Sequence, residues 1–103
     1  MITNEQLQNF CDAVTAKRKA YYESQGFDLA VHGFMPVDFT VGPKFAKVWT
    51  NEHGRRASIF CFVDMATGDI LKAAGVNAPA KGSRGNIANG AADVGPYGAA
   101  YKR

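Results

Sequence analysis

No apolar run in this chain approaches the ~20 residues that a membrane-spanning helix needs, so no membrane partner is expected. The first residues, MITNEQLQNF, are polar and lack a basic stretch followed by an apolar one, which argues against a leader peptide. Cysteine is scarce. Cys11 and Cys61 are too few for a disulfide framework, and both lie in apolar surroundings, which reads as two reduced core thiols. His32 and His53 add no zinc-type spacing to them, so no metal is expected. Nucleophilic catalysis has no support either. Ser58 and Cys61 are expected on opposite faces of a strand, and no His–carboxylate pair accompanies them. Asp64 and Asp69 flank a turn, where aspartate commonly accepts bonds from nearby backbone amides. These absences lead to the expectation of a protein that is not an enzyme and uses no cofactor.

What is present suits one globular domain spanning residues 1–103, with 47% hydrophobic and 20% charged residues. The formal charge is +3, and it is unevenly spread. Residues 1–43 carry three cations against five carboxylates, while residues 44–103 carry nine against four. The basic half favours an anionic partner.

The chain opens on a helix, expected from about residue 4 to about 24. Thr3 and Gln6 have capping-box spacing, and Ile2 and Leu7 sit where a hydrophobic staple closes. Leu7, Phe10, Cys11, Val14 and Tyr21 share one face, and Gly26 suits the C-terminal cap. From Lys44 the period changes to two. KFAKVWT, RRASIFCFVD and DILKAA read as strands joined by the turns NEHG and MATG, with a further short extended piece around Phe39–Val41. The expected fold class is α+β: an N-terminal amphipathic helix packed on a three- or four-stranded antiparallel meander, about residues 38–75. A loop and a Gly/Ala-rich tail, 76–103, follow. That tail is expected to be mobile unless Tyr97 and Tyr101 dock.

Strand alternation assigns faces. Phe45, Lys47 and Trp49 are expected beside Arg56, Ser58, Phe60 and Phe62, and Ala46, Val48, Ala57, Ile59, Cys61 and Val63 on the opposite, aliphatic face. The helix should cover the aliphatic face. The aromatic face then needs the 27–42 segment, the tail, a second subunit or a ligand as its cover, because large bare aromatic patches are rare.

The stretch APAKGSRGN, Ala78–Asn86, resembles a phosphate loop only loosely. Lysine precedes glycine and no helix start follows, which removes the nucleotide-hydrolase pattern. A glycine-rich loop with Lys81 and Arg84 could still approach a nucleic-acid phosphate. The same partner suits the hairpin, where cations alternate with aromatics. The expected nucleic-acid-binding residues are Lys44, Lys47, Trp49, Arg55, Arg56, Phe60, Lys72, Lys81 and Arg84. Trp49 and Phe60 would stack on bases and the cations would meet phosphates. The competing reading is a core-forming sheet face with a basic rim.

From about Lys44 to Ile87, the order and spacing of KFAKVW, SIFCFVD, TGDILKAA and APAKGSRGNI resemble a group of small, mostly uncharacterised bacteriophage proteins. The resemblance implies a protein of the infected bacterium's cytoplasm and carries over no catalytic residues. It leaves a phage accessory protein that binds nucleic acid as the leading expectation. The alternative is a protein–protein module that binds a host enzyme or self-associates, as a homodimer for example, through the aromatic face.

Overall fold

The computed structural model describes residues 1–75, 77–96 and 98–99. Helix α1 (Asn4–Ser24) starts where its capping box places it. Thr3 Oγ1 accepts from the Gln6 amide at 3.2 Å, and Gln6 Oε1 accepts from the Thr3 amide at 2.8 Å. Ile2 packs against the core beside this cap. The helix stops in a Schellman motif: Gly26 takes φ 78°, its amide donates to the Glu23 carbonyl, and the Phe27 amide donates to that of Tyr22.

Five strands form one antiparallel sheet in chain order: β1 (Phe34–Val41), β2 (Phe45–Glu52), β3 (Arg55–Asp64), β4 (Asp69–Leu71) and β5 (Gly85–Asn86). The sheet therefore has one or two strands more than the meander expected from the sequence. The additions are its two edges. β1 begins well before Phe39, and Gly85–Asn86, inside the APAKGSRGN stretch, pairs with Asp69–Ile70. β2 and β3 are joined by a two-residue turn in which His53 and Gly54 both have positive φ, 51° and 81°, the geometry that matches strand twist.

The helix covers the aliphatic face as its period requires. Leu7, Phe10, Cys11 and Val14 pack on Val37, Ala46, Val48, Cys61, Val63 and Ile70. β1 kinks between Met35 and Asp38, where two residues oppose one on β2. Proline is tolerated in such an edge-strand bulge. The kink turns the Val37 amide to Thr15 Oγ1 on the helix, 3.1 Å away.

Two further bulges lie in β3, at Phe60 and at Ala57. The first reverses the alternation and the second restores it. Between them the expected faces are exchanged. Phe60, expected beside Trp49, lies in the core at 3% exposure, and Ile59, expected in the core, pairs with Trp49. Ser58 leaves the aromatic face as well and meets Thr50, hydroxyl to hydroxyl, at 2.8 Å. Outside the bulges, Phe45, Lys47, Trp49, Arg56 and Phe62 keep the face expected of them.

The C-terminal segment, expected to be mobile unless Tyr97 and Tyr101 dock, is structured as far as it is described. A 3-10 turn, η1 (Ile87–Asn89), and a small hairpin, β6 (Val94–Gly95) with β7 (Gly98–Ala99), follow β5. Ile87 and Val94 enter the core. Lys17 Nζ on the helix donates to the carbonyls of Ala91 at 2.8 Å and Val94 at 2.6 Å, which ties this segment down. Tyr97 and Tyr101, the residues on which docking was expected to depend, lie outside the described residues.

Candidate functional site

Trp49 stands on the sheet face away from the helix. Its indole Nε1 donates to Thr40 Oγ1 on β1 at 3.0 Å, which fixes the ring. Lys47 Nζ lies 5.9 Å from the ring centroid and Arg56 Cζ 5.3 Å. Both fall in the range where a cation is drawn to the π-face. Arg56 also pairs with Asp38 at 3.3 Å; both side chains are about half exposed, so the pair adds little stability. Lys44 Nζ stands 5.4 Å from the Phe45 ring, which meets Phe62 edge-on at 6.2 Å.

The connection from β4 to β5 folds back over this face. Ala73 bridges to Pro79, the Ala80 amide donates to the Lys72 carbonyl at 2.7 Å, and the Arg84 amide donates to that of Ile70 at 2.7 Å. Asn77 Oδ1 accepts from Lys47 Nζ at 3.0 Å, so the loop crosses β4 and β3 to reach β2. Phe62 on this face is only 1% exposed. An open hollow of about 350 Å³ remains between Trp49, Ile59 and the Ala73–Gly75 backbone.

The expected site residues thus divide. Lys47, Trp49 and Arg56 come together on one face, while Lys44 lies just before β2 over the Phe45 ring. Phe60 does not belong to the site, because the bulge turns it into the core. Arg55 pairs with Glu52 at the hairpin end, in the register of the opposite face, and is not joined to the Trp49 group. Lys72, Lys81 and Arg84 lie along the β4–β5 connection. Lys81 is exposed, whereas Arg84 is half-buried with its Nε enclosed. Gly85 explains part of the motif. It has φ 149°, and a Cβ there would collide with the Asp93 side chain, whose Oδ2 accepts from the Asn86 amide at 3.2 Å. Asn86 in turn donates to the Thr67 carbonyl and to Asp69 Oδ1. The GN of this motif is therefore first a strand and a joint between turns.

Of the two aspartates around MATG, Asp64 behaves as a turn residue, while Asp69 Oδ1 accepts from the Asn86 side chain. Asp64 Oδ1 accepts from the Ala66 amide at 2.8 Å. Cys11 and Cys61 are buried free thiols. Burial pushes the Cys11 thiol up to about 12, with the Asp38 and Asp12 charges adding to it, and burial raises Cys61 as well. Neither is a nucleophile at neutral pH. Among the described residues, no group of three or more His, Cys, Asp or Glu side chains could hold a metal ion, and no helix is long and apolar enough to cross a membrane.

A second constellation was not foreseen. Arg18, on the buried stripe of α1, is 4% exposed. Helical spacing from Val14 marks position 18 as inward-facing, but its charge hid that signal. Its surroundings come from β1, the segment before it and the β2–β3 turn, which no local pattern brings together.

This arrangement defines a small α+β protein: one helix over a five-stranded antiparallel sheet, with a cation-flanked tryptophan on the far face. The chain belongs to a family of unknown function, DUF7717, whose model matches residues 3–93. That span takes in the helix, all five strands of the main sheet and η1. No curated protein and no solved structure matches the chain.

Proposed function

We propose that this protein is a non-enzymatic phage accessory protein that binds single-stranded nucleic acid through the sheet face around Trp49, in the cytoplasm of the infected bacterium. The observation that carries the reading is the placing of Trp49 between Lys47 and Arg56, beside an open hollow of about 350 Å³. A base entering that hollow would stack against the indole ring, and its flanking phosphates would exchange with the weak partners that Lys47 and Arg56 now have, Asn77 and Asp38. Lys44 extends the cationic track along β2, and the exposed Lys81 offers a further contact from the β4–β5 connection. The phage part of the reading rests on the KFAKVW, TGDILKAA and APAKGSRGNI stretches.

Fluorescence anisotropy with a labelled single-stranded oligonucleotide tests the site. Trp49→Ala should weaken binding by about 5- to 150-fold, the worth of one stacked base. Lys47→Ala should weaken it regardless of sequence and reduce the salt slope by about 0.7. Variants that bind as the wild type does would remove this face from consideration.

A further inference from the structure

The β2–β3 hairpin end of the molecule holds a cavity of about 270 Å³. Its walls come from three places: Arg18 and Tyr22 on α1, Leu29, Val31, His32 and Phe34 from the segment leading into β1, and Asn51, Glu52 and His53 from the β2–β3 hairpin. The walls are largely preformed. The Phe27 ring packs on Tyr22 and His32, and Asp28 Oδ1 accepts from the amides of Ala30 and Val31. The His53 amide donates to the Gly33 carbonyl at 3.0 Å, and its imidazole lies where Gly33 would carry a Cβ.

Arg18 is the unexplained part. A buried guanidinium is costly unless an anion or a full set of acceptors meets it. Its Cζ lies 5.5 Å from the Tyr22 ring and 5.7 Å from that of Phe34, and Nε donates to the Pro96 carbonyl at 3.0 Å. Nη2 reaches only the Tyr22 hydroxyl, at a long 3.4 Å, and the buried Nη1 has no hydrogen-bond partner. Among the described residues, the one ion pair is Arg56 with Asp38, so no carboxylate answers Arg18. Packing alone would be served by leucine or methionine at this position.

We propose that this cavity binds a small molecule with an apolar body that ends in an oxyanion, a carboxylate or a phosphate. The two Nη groups form a fork that suits two oxygens of such a group. A small turn of the guanidinium, at the cost of the long Tyr22 bond, brings both to the ligand. Tyr22, Leu29, Val31 and Phe34 supply the apolar wall. His32 and His53 add ring nitrogens, and Glu52 places an opposing carboxylate on the rim.

The test is an NMR titration of the intact chain, followed at the ring signals of Tyr22, His32, Phe34 and His53. The probes are benzoate, phenyl phosphate, their neutral counterpart benzamide, and inorganic phosphate. At least one of benzoate and phenyl phosphate should shift these signals saturably and bind about tenfold or more tightly than benzamide, the gain from one charge-assisted hydrogen bond. Which of the two binds more tightly names the ligand's anionic group. Val31 is 72% exposed at the cavity's rim, so Val31→Trp should fold normally while obstructing the mouth and weakening the shifts. Glu52→Gln should tighten anion binding by about 1.5- to 5-fold and leave benzamide unchanged. Arg18→Lys keeps the charge but loses the fork, and should weaken the anion about tenfold. Still ring signals with both organic anions, equal binding of benzamide, or full affinity in Val31→Trp would each overturn the proposal. Inorganic phosphate bound as tightly as phenyl phosphate would overturn its apolar half.

Discussion

Replacing Phe60 by alanine separates the observed sheet from the one that strict alternation predicts. Phe60 is 3% exposed and belongs to the core between the sheet and α1. Truncating a buried phenylalanine costs about 3–5 kcal/mol, because the cavity adds to the lost transfer energy. A domain of this length has roughly 5–15 kcal/mol in total. Phe60→Ala should therefore remove a large share of the stability and lower Tm by about 12 °C or more. Ile59, its neighbour, is only half-buried beside Trp49, and Ile59→Ala should cost about 1–2 kcal/mol. Urea unfolding followed by far-UV circular dichroism reads both values without relying on the tryptophan that Ile59 touches. With no bulge at Phe60 the order would reverse: Ile59→Ala would be the damaging change and Phe60→Ala the mild one. That reversal would refute the register.

Three other expectations follow from particular groups. Gly33→Ala forces a Cβ into the His53 ring at φ 65° and should cost about 1–3 kcal/mol, read as a lower urea midpoint. Cys11 and Cys61 should resist a thiol reagent at pH 8 in the folded protein and react once it is unfolded in urea; rapid labelling of the native state would contradict their burial. The Asn89 side chain, first, and the Asn86 amide hold the Asp93 carboxyl below its ordinary range. The folded state thus binds that proton less tightly than the unfolded chain does. The associated stability is present above the ordinary carboxylate range near pH ~4 and is lost as pH falls through the lower folded value. Asp93→Asn should flatten this part of the acid limb in unfolding curves taken between pH 5 and 2, and an unchanged slope would speak against it.

The readable parts of the sequence were those where short-range chemistry sets the outcome. Thr3 with Gln6 marked the helix start, and Gly26 marked its end, because caps are satisfied within a few residues. The meander was legible from period-two alternation and from turns too short for any other pairing. Ile59-Phe60-Cys61-Phe62-Val63 hid the bulge, since five successive apolar residues look the same whichever side each one takes. The C-terminal segment looked empty because only Ile87 and Val94 stand out among small residues there. The segment that carries Val94 is tied down by Lys17, more than 70 residues away in sequence. Arg18 was obscured for the opposite reason: its helical position says buried and its charge says exposed. The grouping of Lys47, Trp49 and Arg56 was legible from period-two alternation, which also separates Arg55 from Arg56. The loop that brings Asn77 to Lys47 was not, because it is a property of the assembled sheet.

The most direct measurement uses the protein's single tryptophan. Trp49 fluorescence should be quenched saturably by a single-stranded oligonucleotide at low salt. Raising the salt should weaken binding with a log–log slope of about −0.7 for each phosphate neutralised, so three or four contacts give roughly −2 to −3. Duplex of the same sequence should quench less, because its bases are not free to stack on the indole. No complex at low salt, by fluorescence and by gel shift alike, would contradict the proposal that this sheet face binds nucleic acid.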